Sequence, residues 1–197
     1  MSVRARIRTS ELCAVDILCR QKELSIHAMA HLDVRRLDTG FDITYDTFQG
    51  YFSAIGGPLP EKLPDGMTLS NGGRYVVLCD ASVESAGRRN FSYAHELGHI
   101  VLGHTHKCEA FEREADAFAA SLLMPSAAVM YLAKLHGTSA SAELIASSFN
   151  VSRKAASMRA DDIASRIKRS TSLHESEMML LLKLFGKVTA SETKKQL

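Results

Sequence analysis

Two histidines four residues apart enclose a glutamate in the run Phe91-Ser92-Tyr93-Ala94-His95-Glu96-Leu97-Gly98-His99-Ile100-Val101-Leu102-Gly103-His104. On a helix, the spacing of His95 and His99 sends both imidazoles out of one face, one turn apart. Neutral imidazoles so placed can each offer a ring nitrogen to a zinc ion. A carboxylate beside the first, here Glu96, can act as general base for an attacking water. Ala94, Leu97, Ile100 and Val101 give the same helix an apolar side to bury. Two ordinary helix histidines would show the same local spacing, so a third ligand has to decide.

A catalytic zinc usually takes three protein ligands and leaves a fourth position for water. Downstream, apolar residues at 111, 115, 118, 119, 122 and 123 recur with helical spacing and stop before Pro125. Glu112 and Asp116 lie four apart on one face of that predicted helix. This suits a carboxylate ligand one turn from a carboxylate that orients a liganding histidine from behind. Taken alone, the segment would read as a solvated charged helix with Glu/Arg pairs; next to the histidine pair, the ligand reading is favoured. The metzincin pattern is excluded by spacing, because it needs a third histidine six residues after the second with glycine midway. Position 105 is Thr105, His104 comes one residue early, and Leu102 stands midway. The expected metal set is therefore His95, His99 and Glu112, with zinc as the expected ion and manganese as an alternative for a His2Glu site.

The two motifs together resemble the ImmA/IrrE family of small bacterial and phage metallopeptidases. That family pairs an HExxH helix with a helix carrying Glu-x-x-Ala-(Asn/Asp)-x-Phe-Ala and a Leu-Leu-Met-Pro ending. The motifs span residues 91–125, and weaker similarity runs from Leu69 to Arg166. The resemblance implies His95, His99 and Glu112 as zinc ligands, Glu96 as catalytic base, and Asp116 at the Asp/Asn position. It also implies a protein substrate, a helix-turn-helix transcriptional repressor whose cleavage would induce mobile-element or stress-response genes. The alternative is a non-proteolytic regulatory or antitoxin-like module that binds protein or DNA through its C-terminal helices.

These residues need elements to hold them. The expected fold is α+β, a zincin-like core in which a small twisted sheet lies beside the two motif helices. Residues 10 to 31 read as a helix broken at 21 to 25, and Phe41, Ile43 and Tyr45 alternate as a short strand would. Residues 53 to 66 form a Gly/Pro-rich loop, and Met67 to Asp80 reads as a hairpin turning at Asn71-Gly72-Gly73. Ser82 to Arg89 reads as a polar approach to the active helix. His104 is expected to reach the reacting carbonyl as a hydrogen-bond donor. Beyond Pro125 the pattern is helical: Ala127 to Leu135, then a helix-turn-helix-like pair hinged at Phe149-Asn150-Val151, then a last helix over Leu173 to Val188. Arg153, Lys154 and Arg159 on that pair could face phosphates, although packing is the favoured role. The expected division is 1–130 for the metallopeptidase core and 131–197 for the helical region.

Composition narrows the class. Hydrophobic residues make up 46%, charged residues 23%, and the net charge is +2, an ordinary globular balance that neither favours nor excludes nucleic acid. Cys13, Cys19, Cys79 and Cys108 form neither a CxxC pair nor an evenly spaced framework, which suits free thiols. The charged N-terminus lacks the apolar stretch of a secretory signal, and no run approaches 18 apolar residues. The expected location is cytoplasmic, with no membrane partner.

Overall fold

A computed structural model describes residues 1–83, 85–167 and 172–186. Two compact units emerge. The first comprises Met1–Cys13 and Asp33–Ala119, and the second comprises Ala14–Leu32 with the residues from Ala120 onward.

The first unit is built on a three-stranded mixed sheet. Strands β1 (Asp42–Thr47), β2 (Gly66–Asn71) and β3 (Arg74–Cys79) lie in the order β1-β3-β2. β2 and β3 form the expected hairpin, with Asn71 opposite Arg74. That register leaves a two-residue loop, Gly72-Gly73, with φ of 58° and 85°. Positive φ at both positions matches the right-handed strand twist and is cheap only for glycine. β1 joins on the far side, parallel to β3, after a crossover that includes α3 (Phe48–Ala54). β2 is consequently an edge strand.

Helix α4 (Ala86–Val101) packs on β2 and β3. Tyr93, Ala94, Leu97 and Ile100 recur at helical spacing and are buried, and β3 answers with buried Val77, Leu78 and Cys79. Full burial of a side chain such as Leu97 contributes about 2 kcal/mol. The helix begins earlier than its approach segment suggested. The Ser85 hydroxyl accepts from the Arg88 backbone N–H at 3.3 Å, which caps the helix and draws Gly87, Arg88 and Arg89 into it. Arg88 pairs with Asp65 at 2.7 Å. Helix α5 (Glu109–Leu123) follows the turn after Gly103. It approaches α4 closely at Gly98, where a Cβ would lie 3.2 Å from the Ala115 Cα and 3.1 Å from the Phe118 ring. Helix α1 (Val3–Arg20) starts well before residue 10, and its first turns belong to this unit.

The second unit is helical: α2 (Ile26–Met29), α6 (Ser126–Leu135), α7 (Ala142–Phe149), α8 (Arg153–Ile167) and α9 (Glu175–Phe185), around buried Leu18, Met29, Met124, Ile145, Ile163 and Leu180. Asn150 ends α7 in the left-handed region at φ 51°, and Ser152 caps α8 through the Ala155 N–H. Residues 187 and 188 of the expected last helix, and the tail beyond, lie outside the described residues.

Arg159 departs from the phosphate-facing expectation. Its side chain is buried, with Nε donating to the Met124 carbonyl at 2.9 Å and an ion pair to Asp162 at 2.9 Å. Arg166 is likewise turned inward, to Glu177 at 2.9 Å. The run Glu109–Leu135, α5 and α6 joined across Pro125, is long and apolar enough by composition to cross a membrane. Within its apolar window 72% is buried inside the protein, so that surface serves as core.

Candidate metal centre

Helix α4 presents His95 and His99 on one face, and α5 brings Glu112 opposite them. His95 Nε2 lies 3.1 Å from His99 Nε2 and 3.3 Å from a Glu112 carboxylate oxygen. The other Glu112 oxygen is 3.8 Å from His99 Nε2. Three donors on a tetrahedron of zinc–ligand bonds of about 2.0–2.1 Å stand about 3.3 Å apart. The donor set and its spacing therefore fit a tetrahedral ion. Among the described residues, this is the one group of three or more His, Cys, Asp or Glu donors that converges within 4.8 Å. His104, His106 and Cys108 form no second such group.

Each histidine has a partner on its other nitrogen. His95 Nδ1 donates to Asp116 Oδ1 at 2.9 Å, which leaves Nε2 bare and aimed at the cluster. His99 Nδ1 meets His104 Nδ1 at 2.9 Å. His104 does not take the donor position expected of it. Its side chain is 4% exposed, its Nε2 lies 3.3 Å from Glu114, and its ring stacks on Phe111 at 4.1 Å. With both nitrogens engaged inside the protein, it has no N–H to offer a substrate carbonyl.

Glu96 turns from the same helix toward β2. Its carboxylate is buried and accepts from the Thr68 hydroxyl at 2.6 Å. Gly66 makes the room, since a Cβ there would stand 3.0 Å from both Cγ and Oε1 of Glu96. Burial raises the Glu96 pKa above the ordinary carboxylate value, and the Thr68 hydrogen bond works against that rise. Burial alone would lower His95, but the Asp116 hydrogen bond and nearby carboxylates outweigh it and hold its pKa above normal. Burial and the neighbouring charge of His95 push His99 down to about 4. His99 is thus neutral at pH 7, the form in which imidazole ligates a metal.

These groups line a cleft of about 470 Å³, with Gly66, Met67 and Thr68 of the edge strand on one wall and Glu112 and Asp116 of α5 on the other. The arrangement can hold a divalent ion beside a buried carboxylate, next to a strand edge able to hold an extended chain. Thr68, Gly66, Arg6 and Glu114 were not anticipated from sequence. A clue for Glu114 lay in its place on the ligand helix two residues after Glu112; none marked the others.

A protein-family model described as the IrrE N-terminal-like domain matches residues 58–161, just over half of the 197 residues. The matched segment contains β2, β3, α4 and α5, and with them every residue of the donor cluster. No curated protein matches the chain.

Proposed function

The chain belongs to the IrrE N-terminal-like domain family of peptidases, and from that premise we infer that it is a zinc-dependent endopeptidase that cuts a protein substrate. The observation that carries this reading is the convergence of three donors from His95, His99 and Glu112 beside the buried Glu96 carboxylate. A ligand cluster alone would serve a structural site equally well; a buried, positioned carboxylate on the ligand helix is what hydrolysis adds.

His95, His99 and Glu112 would hold the ion, and Asp116 orients His95. Zinc, when bound, supplies Lewis acidity, polarising the scissile carbonyl and bringing the pKa of water to about 7. An extended substrate segment adds to the free edge of β2, which places its carbonyl over the cleft. Glu96 accepts the proton of the water that attacks this carbonyl. It then passes the proton to the leaving amine as the C–N bond breaks, so the carboxylate is regenerated. Its raised pKa, closer to neutrality than an exposed carboxylate's, suits both halves of that transfer.

The motif resemblance supports a helix-turn-helix repressor as substrate, with relief of repression at mobile-element or stress-response genes as the outcome. DNA contact through α7 and α8 is the weaker reading, because Arg159 is committed to internal partners.

Metal analysis of purified wild type and His99→Ala, followed by a cleavage assay with Glu96→Gln, tests the proposal. The expected result is near one zinc per chain in wild type and loss of it in His99→Ala. Glu96→Gln should keep the metal and lose cleavage. If Glu96→Gln still relieves repression in cells, proteolysis is not the mechanism, and the binding-module alternative takes its place.

A further inference from the structure

His99 Nδ1 and His104 Nδ1 face each other at 2.9 Å, and two ring nitrogens at that distance need one hydrogen between them. The next contact decides which carries it. His104 Nε2 lies 3.3 Å from Glu114 Oε2, and an ionised carboxylate only accepts. Glu114 also pairs with Arg6, whose Nε donates to its other oxygen at 2.6 Å, with the Glu114 side chain 9% exposed. The hydrogen on His104 is therefore on Nε2, its Nδ1 is an acceptor, and His99 Nδ1 is the donor. That assignment leaves His99 Nε2 bare, the atom that faces His95 and Glu112.

We propose that His104, backed by Glu114 and Arg6, is a positioning residue that fixes His99 in the tautomer and ring orientation needed to ligate a metal. The inference rests on the metal-site reading above. The relay is held from several sides. Phe111 stacks on His104 with an interplanar angle of 6°, and the Arg6 guanidinium lies 5.4 Å from the centre of the Phe111 ring. It also differs from the support of the first ligand. Asp116 is 61% exposed, so water can replace it at His95. His104 is 4% exposed, so water has far less access to its place than to that of Asp116. Loss of an outer partner of this kind typically costs about 10–100-fold in metal affinity, and the buried relay should sit at the upper end of that range.

The test is zinc affinity by competition with a chelator, on folded protein, in wild type, His104→Leu, His104→Asn and Asp116→Ala. His104→Leu fills the space against Phe111 without an acceptor, while the side-chain oxygen of His104→Asn can accept from His99 Nδ1. The expected result is a loss approaching about 100-fold in His104→Leu, recovery to within a few-fold of wild type in His104→Asn, and a smaller loss in Asp116→Ala. A purely structural role would not be rescued by asparagine. Nitrogen NMR of the metal-free wild type gives a second reading that requires no variant to fold, with the His99 hydrogen expected on Nδ1. A His104→Leu protein that binds zinc as tightly as wild type, or a metal-free His99 with its hydrogen on Nε2, overturns the proposal. Wild type that binds no zinc overturns instead the metal-site reading, and the NMR result then judges the relay alone.

Discussion

The Thr68 hydroxyl donates to Glu96 Oε2 at 2.6 Å and so ties the edge strand to the carboxylate on the ligand helix. One contact thus sets where the proposed base sits relative to the strand that would hold substrate. Thr68→Val keeps the shape and removes the hydroxyl. A hydrogen bond to a charged group contributes about 1.5–3 kcal/mol, so kcat should fall at least about tenfold while KM moves little. The hydroxyl favours the ionised carboxylate, so its loss raises the Glu96 pKa further and moves the acid limb of the pH–rate profile to higher pH. An acid limb unchanged in Thr68→Val would mean that Glu96 is not the group that titrates there.

The histidine pair predicts how the metal-free protein responds to acid. His99 is held near 4 in the fold against about 6.5 for an ordinary imidazole, so the unfolded chain takes up the proton first as pH falls. Stability associated with His99 is therefore full above about 6.5 and declines as pH falls toward about 4, by on the order of 3 kcal/mol. His95 acts in the opposite sense, since its raised pKa adds stability at low pH that is lost as pH rises through that raised value. Thermal unfolding of chelated protein between pH 7 and 4 should show a steeper decline in wild type than in His99→Asn. Equal slopes would show that His99 is not buried neutral.

The donor cluster was legible because its geometry is local. His95 and His99 share a helix face by spacing alone, and Glu112 lies on the next helix, joined to the first by a short turn that leaves few ways to pack. The hairpin was equally readable, because Gly72-Gly73 prescribes a turn that also sets the register of β2 against β3. Thr68 was not readable. Its alternation marks a strand, but nothing in a strand pattern says which helix residue lies across from it. Arg6 comes from the opposite end of the unit's sequence, and its pairing with Glu114 is purely a product of packing. His104 misled for a related reason. Proximity to the ligands in sequence suggested the substrate side, whereas the left-handed Gly103, φ 66°, ends α4 and the chain folds back with the imidazole against Phe111.

Arg159 gives a prediction about stability in place of nucleic-acid binding. Its guanidinium is buried between the Met124 carbonyl, in the break between α5 and α6, and the Asp162 carboxylate. Arg159→Ala removes charged hydrogen bonds and leaves an internal carbonyl without this donor, at a cost of about 2–4 kcal/mol. Denaturant unfolding should show a lower midpoint with an unchanged slope. A variant as stable as wild type would contradict the buried position of the side chain.

Gly98 sets the distance between the two helices that carry the candidate ligands. An alanine there would place its Cβ 3.2 Å from the Ala115 Cα, which is backbone and cannot rotate away, and 3.1 Å from the Phe118 ring. By helix propensity alone, Gly98→Ala should stabilise α4 by about 1 kcal/mol. Overpacking costs about 1–3 kcal/mol, and relief requires α5 to move away from α4. Glu112 and Asp116 ride on α5, so that movement widens the gaps of 3.3 Å between His95 and Glu112 and 2.9 Å between His95 and Asp116. Gly98→Ala should therefore bind zinc at least about tenfold more weakly, since ligand positions must hold to within a few tenths of an ångström. Thermal unfolding of the metal-free protein should change much less than the zinc affinity does. Wild-type affinity in Gly98→Ala would mean that α5 is not fixed by this contact, and that the position of Glu112 is set elsewhere.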